Sequence, residues 1–245
     1  VVKKFKKIKD SELMETVEEV FDYRTLMALY KLINKGIIER VHGVVAAGKE
    51  ARVYWGEDRE GRDLAIKIFL VQTREFRRGM LKYIEGDPRF SLIKRDRRYM
   101  VNTWCSKEFK NLSVAYKVGV KVPKPIAFKE NVLVMEFIDC GEKGKPAPLI
   151  KDVPPSDPIR AFYRILENIK IAFRRGRIVH ADLSEYNIMN RNEEFYIIDW
   201  GSAVSLDHPE ALNFLRRDLR NLINYFRGLG LRDLSYEEVE EYVIG

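Results

Sequence analysis

His180-Ala181-Asp182-Leu183-Ser184-Glu185-Tyr186-Asn187, followed by Ile197-Ile198-Asp199-Trp200-Gly201, is the stretch whose reading decides the fold. Asn190 to Glu194 reads as a short hairpin that brings Asn187 and Asp199 together in space. An amide oxygen and a carboxylate on adjoining segments suit a hard, magnesium-type ion, which prefers oxygen ligands. Asp199 also ends an apolar strand, Phe195 to Ile198, and precedes a glycine. Asp182 stands where a carboxylate can accept a hydroxyl proton or orient a nucleophile. Metal ligands beside a base are the parts that phosphoryl transfer needs. Either Asp182 or Asn187 alone would read as a turn cap; their spacing to Asp199 argues for chemistry.

Upstream, Leu64-Ala65-Ile66-Lys67 places a lysine in an apolar strand, which is costly unless the charge is paired or bound to phosphate. Its expected partner is Glu108, because Trp104, Glu108 and Leu112 form one helical stripe that the glutamate interrupts. Lys107, Lys110 and Lys117 are expected on the opposite, solvent face. Val45 to Tyr54, with Gly48 at its centre, reads as a turn between strands that could cradle phosphates.

Working outward, residues near 10 to 35 read as two short helices, the second stopping at Gly36. Strands are expected over 37–45, 51–55 and 64–70, the last two joined by a hairpin at Asp58 to Gly61. A helix over 101–118 ends at Gly119, and a second hairpin turns at Glu130-Asn131. Gly141 to Pro158 reads as a connection. Helices are expected over 159–174, 210–226 and 236–243, with Ser235 and Glu238 as a capping box. Strands first and helices later give an α+β class.

Composition narrows the function classes. The formal charge of +7 favours anionic partners such as nucleotides or RNA. Arg74, Arg77, Arg78, Lys94, Arg95, Arg97 and Arg98 make one basic stretch that could meet RNA phosphates or simply be solvated. Cys105 and Cys140 read as packing residues, and the three histidines share no ligand spacing. No apolar run approaches the roughly 18 residues of a membrane span, and Val1 to Lys7 lacks a signal-peptide core, so a cytoplasmic protein without membrane partners is expected.

Gly48-Lys49-Glu50-Ala51 with Val53-Tyr54, Ala65-Ile66-Lys67, Lys107-Glu108-Phe109, Pro123-Lys124-Pro125-Ile126 and His180 to Asn187 closely resemble the RIO atypical protein kinases, nearest the first RIO subfamily. The resemblance spans nearly the whole chain. It implies a bilobal protein-kinase-like fold: an N-terminal helical extension (1–40), a mainly antiparallel β N-lobe (41–138) and a helical, truncated C-lobe (139–245). By the same resemblance, adenine would lie between Ala65, Met189 and Ile198, with its polar edge on the backbone of Glu136 and Ile138 and Met135 behind it. Ala47, Gly48, Lys49, Glu50 and Val53 would cover the phosphates of ATP. Lys67 would touch them, oriented by Glu108. Asn187 and Asp199 would hold Mg2+ or Mn2+, and Asp182 would be catalytic.

The sequence departs from ordinary kinases in ways that bear on output. Ser184 replaces the lysine two residues past the catalytic aspartate, Trp200 replaces the phenylalanine of Asp-Phe-Gly, and no Ala-Pro-Glu follows. Only 44 residues follow Gly201, too few for the usual peptide-docking helices. Ala46 and Ala47 stand where the family often has a hydroxyl. The resemblance to RIO proteins implies two outputs for such a chain. One is an autophosphorylating serine kinase, with Ser91 as a self-acceptor. The other is an ATPase switch in which phosphorylated Asp199 controls binding to a pre-ribosomal small-subunit particle, its proteins or its RNA. A small-molecule kinase similar to the aminoglycoside phosphotransferases shares the aspartate–asparagine loop but not Gly48-Lys49-Glu50-Ala51.

Overall fold

The computed structural model describes residues 22–70, 80, 82–84, 87, 89 and 96–245. The first of the expected N-terminal helices, Ser91 and most of the basic stretch lie outside these residues.

Helix α1 (Tyr23–Asn34) starts on Asp22, whose carboxylate accepts the amides of Arg24 and Thr25 at 3.0 and 3.1 Å. Gly36, at φ 69°, ends it. Five strands follow as an antiparallel sheet in the order β1-β2-β3-β5-β4: β1 (Arg40–Ala47), β2 (Ala51–Glu57), β3 (Asp63–Phe69), β4 (Pro125–Lys129) and β5 (Val132–Glu136). Strand β1 begins three residues later than the apolar run suggested, because Ile38 leaves the sheet to pack beneath α1.

Strand β3 shows how the period of two divides the work. Leu64, Ile66 and Ile68 face α1 and pack with Ala28, Leu29 and Leu32. Ala65, Lys67 and Phe69 point to the opposite face, toward helix α2 (Arg97–Val118) and the rest of the molecule. Helix α2 is capped by Asp96 and closed by Gly119 at φ 94°, where the Val120 amide donates to the Ala115 carbonyl. It starts four residues before the expected helix, and so absorbs Arg97 and Arg98 from the basic stretch. Arg98 is mostly buried against Asp22, joining α2 to the cap of α1.

The remainder is helical around two small ribbons. Helix α3 (Pro158–Arg174) begins on Asp157 with proline in its first turn. Strand β6 (Ile178–Val179) pairs with β9 (Val204–Ser205), and β7 (Ile188–Arg191) with β8 (Glu194–Ile197). Helix α4 (Ala211–Gly228) packs Leu215, Leu219, Leu222 and Phe226 into the main core, and α5 (Tyr236–Ile244) leans on α3. Only half of the capping box forms: Ser235 Oγ accepts the Glu238 amide at 3.3 Å, while its hydroxyl turns to Glu237 at 3.2 Å. The result is an α+β, two-lobed architecture. No helix among the described residues is long and apolar enough to cross a membrane.

Candidate functional site

Between the sheet and the helical part lies a cavity of about 590 Å3. Its roof is the β1–β2 turn: Ala47, Gly48, Lys49 and Glu50, with Val53 behind them. The turn is closed by the Gly48 amide donating to the Ala51 carbonyl at 2.9 Å. Among the described residues a Cβ at Gly48 would meet only that oxygen, at 3.5 Å, so none of them demands glycine there. Ala65 lines the wall from β3, Met135, Glu136 and Ile138 from β5 and its exit, and Met189 and Ile198 from below. Val45, Ala46 and Ala51 of the expected cradle also line it, whereas Phe69, Trp104, Pro123, Pro146, Leu149 and Tyr186 were not anticipated. Pro146 and Leu149 enter through bridges from Pro146 to Asp139 and from Leu149 to Met189, which no sequence period reveals.

At the inner end, Lys67 Nζ donates to both Glu108 oxygens at 2.8 Å and to Asp199 Oδ1 at 3.0 Å. Burial opposes the lysine charge, but Asp199 and Glu108 outweigh it and raise its pKa. Burial also pushes Glu108 up, to about 7, against the pull of Lys67. Asp199 is half-exposed at 53% of its side chain, and Lys67 holds its pKa below the ordinary carboxylate value despite desolvation.

The hairpin of β7 and β8 turns through Asn192 and Glu193, both at positive φ, and pairs Ile188 with Ile197. That register places Asn187 just before one strand and Asp199 just after the other, with the Ile198 amide donating to the Asn187 carbonyl at 2.9 Å. Asn187 Nδ2 donates to the Asp182 carbonyl at 2.8 Å, which engages the amide nitrogen and leaves Oδ1 as the side chain's acceptor. Ser184 caps the 3-10 turn Glu185–Asn187 by accepting the Tyr186 amide at 3.3 Å. Asp182 itself is exposed and lies on a separate polar recess of about 220 Å3 shared with Glu50, Lys82 and Ser202. Partial burial, and then the nearby Asp199, raise the Asp182 pKa.

Three site residues escaped the sequence reading. Asp218 of α4 is buried and accepts the amides of Ala181 at 2.7 Å and Leu183 at 3.0 Å, so it grips the backbone on both sides of Asp182. Its signal was available: it interrupts the apolar stripe of Leu215, Leu219 and Leu222. Lys107, expected on the solvent face, is instead fully buried, donating to the carbonyls of Gly201 at 2.8 Å and Ala203 at 2.5 Å. Asn111, one turn later, donates to the carbonyls of Trp200 and Ala203 at 3.0 and 2.8 Å. The buried stripe of α2 is wider than Trp104, Glu108 and Leu112, and Lys107 lies on its edge.

Cys105 is buried and Cys140 half-buried, with no disulfide, and no cluster of three or more His, Cys, Asp or Glu residues suited to a metal occurs among the described residues.

Comparison with known proteins places this geometry. The family model for the RIO domain matches residues 52–239. The RIO-type serine/threonine-protein kinase Rio1 of Haloferax volcanii is 40% identical over 239 residues, covering 98% of this chain and 81% of the relative. The chain belongs to the RIO kinase family. Within it the likeness is to the Rio1 subfamily: Rio1 of Methanocaldococcus jannaschii is also 40% identical, over 96% of this chain and 79% of its own length. Human serine/threonine-protein kinase RIO1 is 38% identical, and this chain spans only 42% of it. Among solved structures, the Rio2 kinase-ADP/Mg2+-phosphoaspartate complex from Chaetomium thermophilum shares the fold, with a TM-score of 0.66 at 22% identity over 88% of this chain and 65% of that one.

Proposed function

We propose that this RIO-family chain is an ATP-dependent serine protein kinase that phosphorylates itself or a partner protein in maturation of the small ribosomal subunit, in the cytoplasm. The observation that carries the reading is the three-point contact of Lys67 with Glu108 and Asp199 at the closed end of the cavity. On this reading residues 1–40 form the helical extension, 41–138 the N-lobe and 139–245 the C-lobe.

Bound ATP with Mg2+ or Mn2+ would supply the phosphoryl group and neutralise its charge. The chain's donors fit that ion: a half-exposed carboxylate at Asp199 and the amide oxygen of Asn187, both hard oxygens on one hairpin, too few alone to complete a coordination shell. Adenine fits the apolar slot of Ala65, Met189 and Ile198, with Glu136 and Ile138 offering backbone to its edge and Met135 closing the back. Ala47, Gly48, Lys49, Glu50 and Val53 cover the phosphates; the open space at Gly48 suits close approach of backbone to a ligand. Lys67 orients the phosphates and is itself oriented by Glu108. Asp182 accepts the hydroxyl proton, and its raised pKa favours that role. Ser91 remains the proposed self-acceptor.

A second output is supported by Asp199 being half-exposed beside Lys67. A carboxylate there could itself take the phosphoryl group, releasing ADP, and be freed by water, giving an ATPase switch that governs binding to a pre-ribosomal particle. The named Rio2 complex contains a phosphoaspartate, which keeps that output in view. Single-turnover incubation with γ-labelled ATP tests both. Acid-resistant phosphoserine is expected for the kinase output and hydroxylamine-labile acyl phosphate for the switch. Neither label nor hydrolysis would overturn the assignment of a phosphotransferase.

A further inference from the structure

Helix α2 turns a stripe of nine buried residues toward the molecule's interior, and three of them are polar: Lys107, Glu108 and Asn111. Polar groups on a core-facing stripe are retained only where they find partners. Glu108 takes Lys67, and the other two take main-chain carbonyls. Lys107 is 0% exposed, its ammonium lies on the carbonyls of Gly201 and Ala203, and the Trp104 ring is 5.2 Å away. Asn111 adds the carbonyl of Trp200 and shares that of Ala203, while Arg89 donates to its amide oxygen at 3.0 Å and is itself held by buried Asp87. Three carbonyls of one short turn are thus gathered by two side chains from another element.

The residue that begins this turn needs holding. Asp199 has φ 64°, the left-handed region that a non-glycine residue enters at a cost and keeps only when its surroundings over-determine it. The Asp199 side chain is half-exposed and meets Lys67 Nζ at 3.0 Å. The turn after it adds a second constraint. Gly201 approaches Trp104 so closely that an added Cβ would lie 2.7 Å from the indole nitrogen, and Trp104 belongs to the same helix.

We infer that Lys107 and Asn111 are positioning residues for Asp199: they tie the Trp200–Ala203 turn to α2, and so fix the Asp199 carboxylate at the distance from Lys67 that Glu108 sets. Because Lys107 and Glu108 are adjacent on one helix, α2 carries both the lysine's partner and the aspartate's support. Displacing the helix to release Lys67 would strip three carbonyls of their partners at the same time. The helix and the turn therefore move as one body. The inference deepens the reading of Asp199 as a metal ligand and rests on it for its functional meaning, but the mechanical tie is a separate claim.

Hydrogen exchange on the nucleotide-free protein tests the tie. Lys107→Met keeps the aliphatic stem and removes the ammonium; exchange in residues 199–206 should accelerate at least tenfold, with residues 181–187 unchanged. Unchanged exchange in 199–206 would overturn the proposal, and so would an equal rise in both segments, which would make Lys107 a general core residue. Should Lys107→Met fail to fold, Asn111→Leu, which keeps the lysine, should give the same local pattern. Calorimetric titration with ADP gives the functional arm: the Mn2+ concentration for half-maximal binding should rise about tenfold in the variant, while ADP affinity in EDTA stays within twofold. A parallel loss in both would sink the assignment of Asp199 positioning. If the unsubstituted protein bound no nucleotide, the proposed function would fail, and exchange would still decide the tie.

Discussion

The Ala181–Leu183 loop and the Trp200–Ala203 turn present the two aspartates of the site, and they are secured in opposite ways. The first exposes amides, and a buried carboxylate, Asp218, gathers two of them. The second exposes carbonyls, and a buried ammonium, Lys107, gathers two of them while Asn111 adds a third. Ala181 in the first loop and Asp199, which immediately precedes the second, are both left-handed, at φ 64°. Burial drives both anchors toward neutrality from opposite sides, Asp218 up to about 7 and Lys107 down to about 7. The difference lies in where the anchor comes from. Asp218 sits on α4, within the helical part that already carries Asp182, whereas Lys107 comes from α2, which also holds Glu108 against the sheet. On the proposed function, Asp182 as a base needs only a fixed local frame, whereas Asp199 as a metal ligand must also keep station with a lysine on the opposite lobe.

The strongest way to break this comparison is Asp182→Ala. Phosphoryl transfer should fall by about 10²–10⁴-fold with nucleotide affinity nearly unchanged, measured by single-turnover assay and calorimetry. Transfer at the original rate would remove Asp182 from its role and with it the pairing of two working loops. Next in size, Asp218→Ala strands two buried amides and should lower unfolding free energy by about 2–5 kcal/mol in urea titration. A loss below half a kcal/mol would show that the loop holds itself.

His180 offers a pH test between the loops. It is buried, its Nε2 lies 3.0 Å from the Ile198 carbonyl, and burial lowers its pKa from 6.5 to about 4. The folded state therefore favours the neutral ring. This contribution is intact above pH 6.5 and is lost as pH falls from 6.5 through 4, about 3 kcal/mol in all. His180→Gln should flatten that part of the stability profile relative to the parent, and superimposable slopes would contradict a buried neutral histidine.

Smaller still is Gly201→Ala, which forces a Cβ against Trp104 and should cost about 1–3 kcal/mol. The mildest is Gly48→Ala, expected to change stability by less than about 0.5 kcal/mol because no atom of the described residues crowds that position, while weakening ATP binding measurably. Equal stability losses at the two glycines would erase the distinction between a glycine kept for packing and one kept for a ligand.

Most of the architecture was legible because it rests on periodicity and punctuation. Gly36 and Gly119 mark helix ends by left-handed geometry, and the alternation in β3 separates the residues beneath α1 from those lining the cavity. Glu108 was readable as the partner of Lys67 because a charge inside an apolar stripe demands an opposite charge. Asp218 obeys the same logic and could have been found. Lys107 could not: its partners are carbonyls, which every residue possesses and no side chain advertises. The same holds for Pro146 and Leu149, delivered to the cavity by isolated bridges in a segment without regular period.

Strand β3 has a consequence for how this chain tolerates change. Odd positions from Ala65 to Phe69 serve the cavity and even ones serve α1, with Lys67 sharing a strand with two fully enclosed isoleucines. One residue inserted after Arg62 would rotate every side chain to the other face, sending Ile66 toward Glu108 and the lysine under the helix. The strand reads like a two-phase code in which substitutions are local but a shift of frame is total. Added length should therefore be tolerated in the Asp58–Gly61 hairpin, where a loop absorbs it, and not within β3 itself.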